Sequence, residues 1–393
     1  MDTVYFDNNA TTMVAPEVRE AMMPFFGDLY GNPSSMHVFG GRVAKYVNEA
    51  RERVAEFIHA DPSEIVFTSC ATESDNTAIH GAAEALGPEM KVITTKVEHP
   101  AVLGPCRRLK RMGHPEVELP VDNGGNLDLE ALREALKGGG PALVSAMWAN
   151  NETGVVFPIK EIAEIAKEAG ALVHTDAVQV AGKIPVDVRE VPVDMLSMSG
   201  HKFHAPKGIG IFYIRKGTRL PTYMIGGHQE RGRRGGTENV PYIVGLAKAA
   251  ELATASMASE AEKVRAMRDR LEQGLLATCP DARVNGDPAH RLPNTSNMSF
   301  EYIEGEAIIY HMSDAGICAS TGSACAAGSL EPSHVIRALG VPFTALHGSI
   351  RFSLSRYNTE REVDYVLEQM PRIVKKLRAL SPFSKGDTLP VEI

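Results

Sequence analysis

The chain of 393 residues carries 49 acidic and 41 basic side chains, a formal net charge of −8, with 44% hydrophobic and 23% charged residues. That balance suits a globular protein with ample core and argues against a nucleic-acid or anionic-membrane partner. The opening MDTVYFDNNATT lacks the basic and apolar regions of a secretory signal, and no uncharged apolar run is long enough for a bilayer. Five widely spaced cysteines, at 70, 106, 279, 318 and 325, suit reduced thiols in a cytoplasmic protein better than a disulfide framework.

Along the chain, residues 42–59 place Val43, Val47, Ala50, Val54 and Phe57 at helical spacing. Residues 64–68 (EIVFT), 91–95 (KVITT), 142–148 (ALVSAMW), 171–174 (ALVH), 194–197 (DMLS) and 208–214 (GIGIFYI) read as buried strands. A helix over 159–169 follows Pro158 and ends at Gly170. Strands alternating with helices predict βαβ units and a largely parallel sheet. From residue 259 the texture changes: a charged helix, then a looser mixture of strands and helices. Residues 348–355 alternate, with Ile350, Phe352 and Leu354 on one face and Arg351 on the other, and a last helix over 361–380 is interrupted at Pro371. The expected fold is α/β: a large domain over 16–258 with a mostly parallel sheet, and a smaller α+β domain over 259–393 joined by 1–15.

Ligands of open parallel sheets bind beyond the carboxyl ends of the strands. There the sequence sets Ser69–Ser74, Val97–His99, Ala149–Gly154, Thr175–Asp176 with Gln179, and Gly200–Lys202. Taken singly, each has a structural reading: Lys202 as a solvated surface group, His99 as a hydrogen-bonded histidine, Asp176 as a helix cap, Thr72 to Asp75 as a capping box, Cys325 as an inert small residue. Their convergence at one edge argues for a site. A helix N-terminus with Thr72, Ser199 and His201 suits a phosphate, a lysine can form a Schiff base with an aldehyde, and an aspartate can hold a pyridinium. Together they describe pyridoxal 5′-phosphate (PLP).

The segments DNNATT, SCATESD, VEHPAV, WANNETG, HTDAVQ, SGHK, GGHQERGRRGGTEN and GSAC followed by SLEPSHVIRALG resemble the cysteine desulfurases of the NifS/IscS type, class V aminotransferases, with the nitrogen-fixation branch nearest. The resemblance runs over nearly the whole chain. It implies the PLP-dependent transferase fold type I and a homodimer. It also implies conversion of L-cysteine to L-alanine with sulfur passed to an iron–sulfur scaffold protein (NifU- or IscU-like), with assembly of the nitrogenase cofactor as the expected destination. By the same resemblance Lys202 is the Schiff-base lysine, His99 stacks on the pyridine ring, Asp176 meets the ring nitrogen and Gln179 the ring hydroxyl. Ala71, Thr72, Ser199 and His201 hold the phosphate, joined by Thr237 from a partner subunit. Asn151 lies against the cofactor and, with Arg351, receives the substrate carboxylate. Cys325 takes the sulfur as a persulfide and serves as a transient iron–sulfur ligand shared with the scaffold.

Where such relatives often read Ser-Ser-Gly-Ser-Ala-Cys-Thr-Ser, this chain reads Ser-Thr-Gly-Ser-Ala-Cys-Ala-Ala, which leaves the nucleophile intact. The small residues around Cys325, with Gly322 and Gly328 as expected hinges, would let one thiol reach both a deep cavity and an external acceptor. Other readings are a selenocysteine lyase or aminotransferase on the same fold and a sulfur carrier with a vestigial PLP site. A metal site from His201, His204, Cys318 and Cys325 has a spacing that fits no familiar zinc pattern. The run Arg231-Gly-Arg-Arg234 reads as part of a subunit interface near Thr237.

Overall fold

A computed structural model describes residues 3–321 and 331–382. Seven strands form one sheet in the order Ile65–Thr68, Gly210–Ile214, Met195–Ser199, Leu172–Asp176, Ala142–Ser145, Lys91–Thr95, Glu116–Leu119. All neighbours pair in parallel except Gly210–Ile214, which is antiparallel to both of its neighbours. The sheet is therefore mostly parallel, as the alternation of strands and helices predicts.

Strand side chains alternate between two apolar layers, which is why the strands read as continuous apolar runs. Ile65, Phe67, Ile93, Val144, Val173, Leu196 and Ile211 face a core shared with helices Val38–Phe57, Ile159–Glu168 and the first half of Val240–Thr278. Val66, Val92, Leu143, Met195 and Phe212 face the opposite core, under helices Ala71–Leu86 and Pro100–Arg111. A third core sits on the antiparallel sheet Ser349–Ser353, Thr295–Phe300, Ala282–Asn285 and includes Met298, Phe300, Ile350, Phe352, Val363 and Met370.

Four local expectations change. The helix expected from residue 42 begins at Val38, because the Nδ1 of His37 caps it by accepting from Gly40 N at 3.0 Å. The regular strand expected over 142–148 ends at Ser145, although Ala146 N and Trp148 N still donate to the carbonyls of His174 and Asp176 on the neighbouring strand. The charged helix expected from residue 259 is the second half of one 39-residue helix, Val240–Thr278. Its Leu246 and Ala250 pack in the first core, and its Met267, Leu271 and Leu275 in the third. The last helix, Glu360–Leu380, runs on through Pro371. Burial of Val366, Met370, Ile373, Val374 and Leu377 outweighs the backbone bond that proline removes.

The arginine-rich run is bound within the chain. Arg231 donates to the carbonyls of Ser63 and Ile65, and Arg234 pairs with Glu73 at 2.9 Å. Beside them Glu230 makes a buried bidentate pair with Arg51, both bonds 2.7 Å, and accepts from Phe67 N at 3.0 Å. Glu230→Ala strands a buried guanidinium and orphans a strand amide, a loss of about 3–5 kcal/mol. We expect a melting temperature lower by roughly 5–10 °C, with most of the loss recovered in Arg51→Met/Glu230→Leu; a thermal melt of Glu230→Ala within about 1 °C of the parent contradicts this.

Candidate active site

The strands Lys91–Thr95, Ala142–Ser145, Leu172–Asp176 and Met195–Ser199 run in parallel, so their carboxyl ends share one edge. Ile65–Thr68, two antiparallel steps from Met195–Ser199, ends there too. A cavity of about 320 Å³ lies beyond this edge. Ala71, Thr72, His99, Asn151, Asp176, Gln179, Ser199, His201, Lys202 and Arg351 all line it. Thr237 is exposed and does not line it. Cys325, Gly322 and Gly328 lie outside the described residues.

The cations are held by a segment to which the sequence reading assigned no roles, Asp7 to Thr12. Lys202 Nζ donates to the carbonyls of Asn9, at 2.5 Å, and Ala10, at 2.9 Å. Arg351, on the strand Ser349–Ser353, has only 4% of its side chain exposed; it pairs through Nη2 with Asp7 at 2.7 Å and donates through Nη1 to the carbonyl of Asn151 at 3.0 Å. Its Nε is buried with no hydrogen-bond partner among the described residues. Asn9 ties the same segment across by donating to Thr295 Oγ1 at 2.8 Å and to the Asn151 carbonyl at 3.2 Å.

Asp176 ends its strand and accepts from Val178 N at 2.9 Å. Burial, and then the charge of Asp75, raise its pKa to about 7; the positive charge of Lys202 acts the other way. Asp75 also lines the cavity, buried, with its carboxylate 3.5 Å from His174 Nε2. The Thr72 to Asp75 stretch is therefore no capping box: the helix starts at Ala71, its N-cap is Cys70, and no side chain caps its first turn. Read locally, Asp75 looks like a helix-capping residue, and only its tertiary place beside Asp176 reveals another role.

His99 is the N-cap of helix Pro100–Arg111, and its Nδ1 accepts from Ala101 N at 3.1 Å, which leaves the proton of the neutral ring on Nε2. Burial, then the charges of Lys202 and His334, lower its pKa to about 4. His201 is lowered to about 4 by burial and by Lys202, and its Nδ1 lies 3.2 Å from Thr11 Oγ1.

The donor set can be tested against PLP. The uncapped start of helix Ala71–Leu86 offers backbone amides to an anion. Beside it the Ser199 hydroxyl is buried with no hydrogen-bond partner among the described residues. An amine, a carboxylate, an amide and an imidazole then line the same space. A phosphate, an aldehyde and a ring with one basic nitrogen and one hydroxyl match these groups, and the unpartnered Arg351 Nε is a donor for a carboxylate. The residues fit the cofactor.

The family model for aminotransferase class-V matches residues 4–366. The chain is 58% identical over 387 residues to a cysteine desulfurase of Trichormus azollae, covering 98% of this chain and 96% of that protein. It is 54% identical over 393 residues to the cysteine desulfurase NifS of Azotobacter vinelandii, covering 100% and 97%. The solved structure of a NifS-like protein superposes with a TM-score of 0.90 at 42% identity, over 95% of this chain and 100% of that one. The fold is that of the PLP-dependent transferases of fold type I. The chain belongs to the class-V aminotransferase family, an enzyme family, and its curated relatives are cysteine desulfurases.

Because Lys202, His334 and burial all disfavour the imidazolium, His99 should stay neutral from about pH 5 upward. Ring NMR of the apoprotein should show no His99 titration between about pH 5.5 and 8; a midpoint near 6.5 contradicts the arrangement.

Proposed function

We propose that this chain is a PLP-dependent cysteine desulfurase, which converts L-cysteine to L-alanine and passes the sulfur on for iron–sulfur cluster assembly. The observation that carries this reading is the placing of Lys202 and Asp176 in one cavity with an uncapped helix start and an arginine that retains a free buried donor. The names of the relatives at 54–58% identity support the same substrate.

Ala71, Thr72, Ser199 and His201 would hold the phosphate, with Thr237 of a second copy of the chain completing the seat in a homodimer. Asp176 would meet the ring nitrogen, Gln179 the ring hydroxyl, His99 the ring face, and Lys202 the aldehyde carbon. Once bound, PLP supplies an electron sink for the electrons left when the substrate Cα proton departs. Lys202, held by the Asn9 and Ala10 carbonyls, takes that proton as a free amine. Arg351, steadied by Asp7, orients the substrate carboxylate together with Asn151. His99, neutral, can move a proton at the substrate thiol.

Cys325 is the sulfur acceptor in this reading. Its thiolate bonds to the substrate sulfur as the Cβ–S bond breaks, the bond's electrons pass to the carbon skeleton, and protonation releases alanine. Cys325 then delivers the sulfur to an iron–sulfur scaffold protein, in nitrogenase maturation or a comparable cytoplasmic route. The domain division falls within the helix Val240–Thr278, between its two packed halves, near residue 258. Among the described residues, no helix is long and apolar enough to cross a membrane.

Purified protein loaded with PLP should release alanine from L-cysteine and carry one added sulfur on the Cys325 peptide by mass spectrometry. Cys325→Ala should bind L-cysteine but release almost no alanine. Arg351→Ala should raise KM for L-cysteine more than tenfold, about 1.4 kcal/mol. Formation of a keto acid in place of alanine would make the chain a transaminase, and an unchanged KM would remove Arg351 from the site.

A further inference from the structure

A second lysine, Lys183, stands behind the cavity and the chemistry above does not use it. It follows Gln179 by four residues within one run of turns and is mostly buried. Its Nζ donates to the Gln179 carbonyl at 2.9 Å and to the Gln179 side-chain oxygen, Oε1, at 3.2 Å. Among the described residues no carboxylate lies within ion-pair distance of it. Burial, then the positive charges of Lys202 and Arg351, pull its pKa down to about 7. The fold thus keeps a buried amine next to two cations without a counter-ion, and its protonated form carries an electrostatic cost.

The hydrogen bonds show what that arrangement fixes. Gln179 Nε2 donates to the Asn9 carbonyl at 3.1 Å, and Lys202 Nζ donates to the same carbonyl at 2.5 Å. The two lysines are therefore joined by one chain of bonds, from Lys183 to the Gln179 amide, to the Asn9 carbonyl, to Lys202. The amide can take only one orientation in this chain. Turned over, it would set its NH₂ against the Lys183 ammonium and its oxygen against the Asn9 carbonyl, donor on donor and acceptor on acceptor. In the orientation present, one Nε2 hydrogen goes to Asn9 and the second remains for the cavity that Gln179 lines.

A small rear cavity of about 50 Å³ is lined by both Lys183 and Lys202. His204, Glu260 and Arg356 also line it. It leaves room for a slightly longer side chain at position 183.

We propose that Lys183 is a positioning residue of the active site: by holding Gln179 Oε1 it presents an N–H to the ring oxygen of the cofactor, and its charge favours the deprotonated form of the linkage at Lys202. This rests on the reading of the cavity as a PLP site. The ring oxygen is anionic and the nitrogen of the linkage cationic when protonated, so both effects act in one direction. A donor at the oxygen and a cation behind Lys202 each favour loss of the proton from the nitrogen.

The test is an absorbance titration of the PLP-loaded protein with Lys183→Met and Lys183→Arg, alongside thermal melts of the apoproteins. Replacing an unpaired, mostly buried cation by an apolar side chain of similar volume should leave the melting temperature unchanged or higher. The visible chromophore of Lys183→Met should titrate about one pH unit or more above the parent. Lys183→Arg keeps the charge and a donor, has the rear cavity to grow into, and should titrate with the parent. A Lys183→Met midpoint within about 0.3 unit of the parent overturns the proposal. So does a Lys183→Arg midpoint that moves with Lys183→Met, or an apoprotein of Lys183→Met too unstable to purify, which would make the lysine structural. Failure of the parent protein to develop a visible band with PLP would instead overturn the reading of the cavity itself.

Discussion

Two backbone carbonyls, those of Asn9 and Ala10, accept hydrogen bonds from Lys202 across 193 and 192 residues of sequence, and the site depends on that contact. Carbonyl oxygens hold an ammonium without the deep Coulomb well of a carboxylate, so the lysine is oriented yet can give up its proton and form a covalent bond. The same segment supplies Asp7 to Arg351 and Asn9 to Thr295. One short stretch therefore ties the seven-stranded sheet to the antiparallel sheet and aims both cations of the cavity. A shift in this segment would misplace the Lys202 amine and the Arg351 guanidinium together.

Charge within the cavity is arranged by burial more than by pairing. Asp176 and Asp75 are both raised to about 7, so their ionised forms are disfavoured by burial and a cation facing Asp176 would favour its ionised form. His99 and His201 are lowered to about 4 and stay neutral. The combination suits a ligand that brings its own charges: a phosphate for the helix start, a basic ring nitrogen for Asp176, and an amino-acid carboxylate for Arg351. A neutral ligand would leave most of these groups unsatisfied.

Much of this was legible in the sequence because parallel strands buried on both faces read as plain apolar runs, and the first polar residue after each run must emerge at the same edge. That logic sets His99, Asn151, Asp176, Ser199, His201 and Lys202 at one edge, and all six line one cavity. Arg351 was legible as the polar residue on a strand whose Ile350 and Phe352 enter the third core. The contributions of Asp7, Asn9 and Ala10 were not, since contacts across 192 to 344 residues leave no local pattern. Asp75 hid behind a sequence that mimics a helix cap, and Lys183 behind the general expectation that lysines are solvated. The continuous helix Val240–Thr278 was missed because its buried face changes core part-way, which blurs the periodicity. Thr237, exposed in a single chain, has a role only if a second copy is present.

The central claim is that Lys202, and no other lysine, carries the cofactor. Borohydride reduction of the PLP-loaded protein, followed by proteolysis and mass spectrometry, tests it directly. The account predicts one pyridoxyl adduct, on the peptide containing Lys202, and its loss in Lys202→Ala. An adduct on Lys183 or another lysine in the unaltered protein, or no adduct at all, would contradict it.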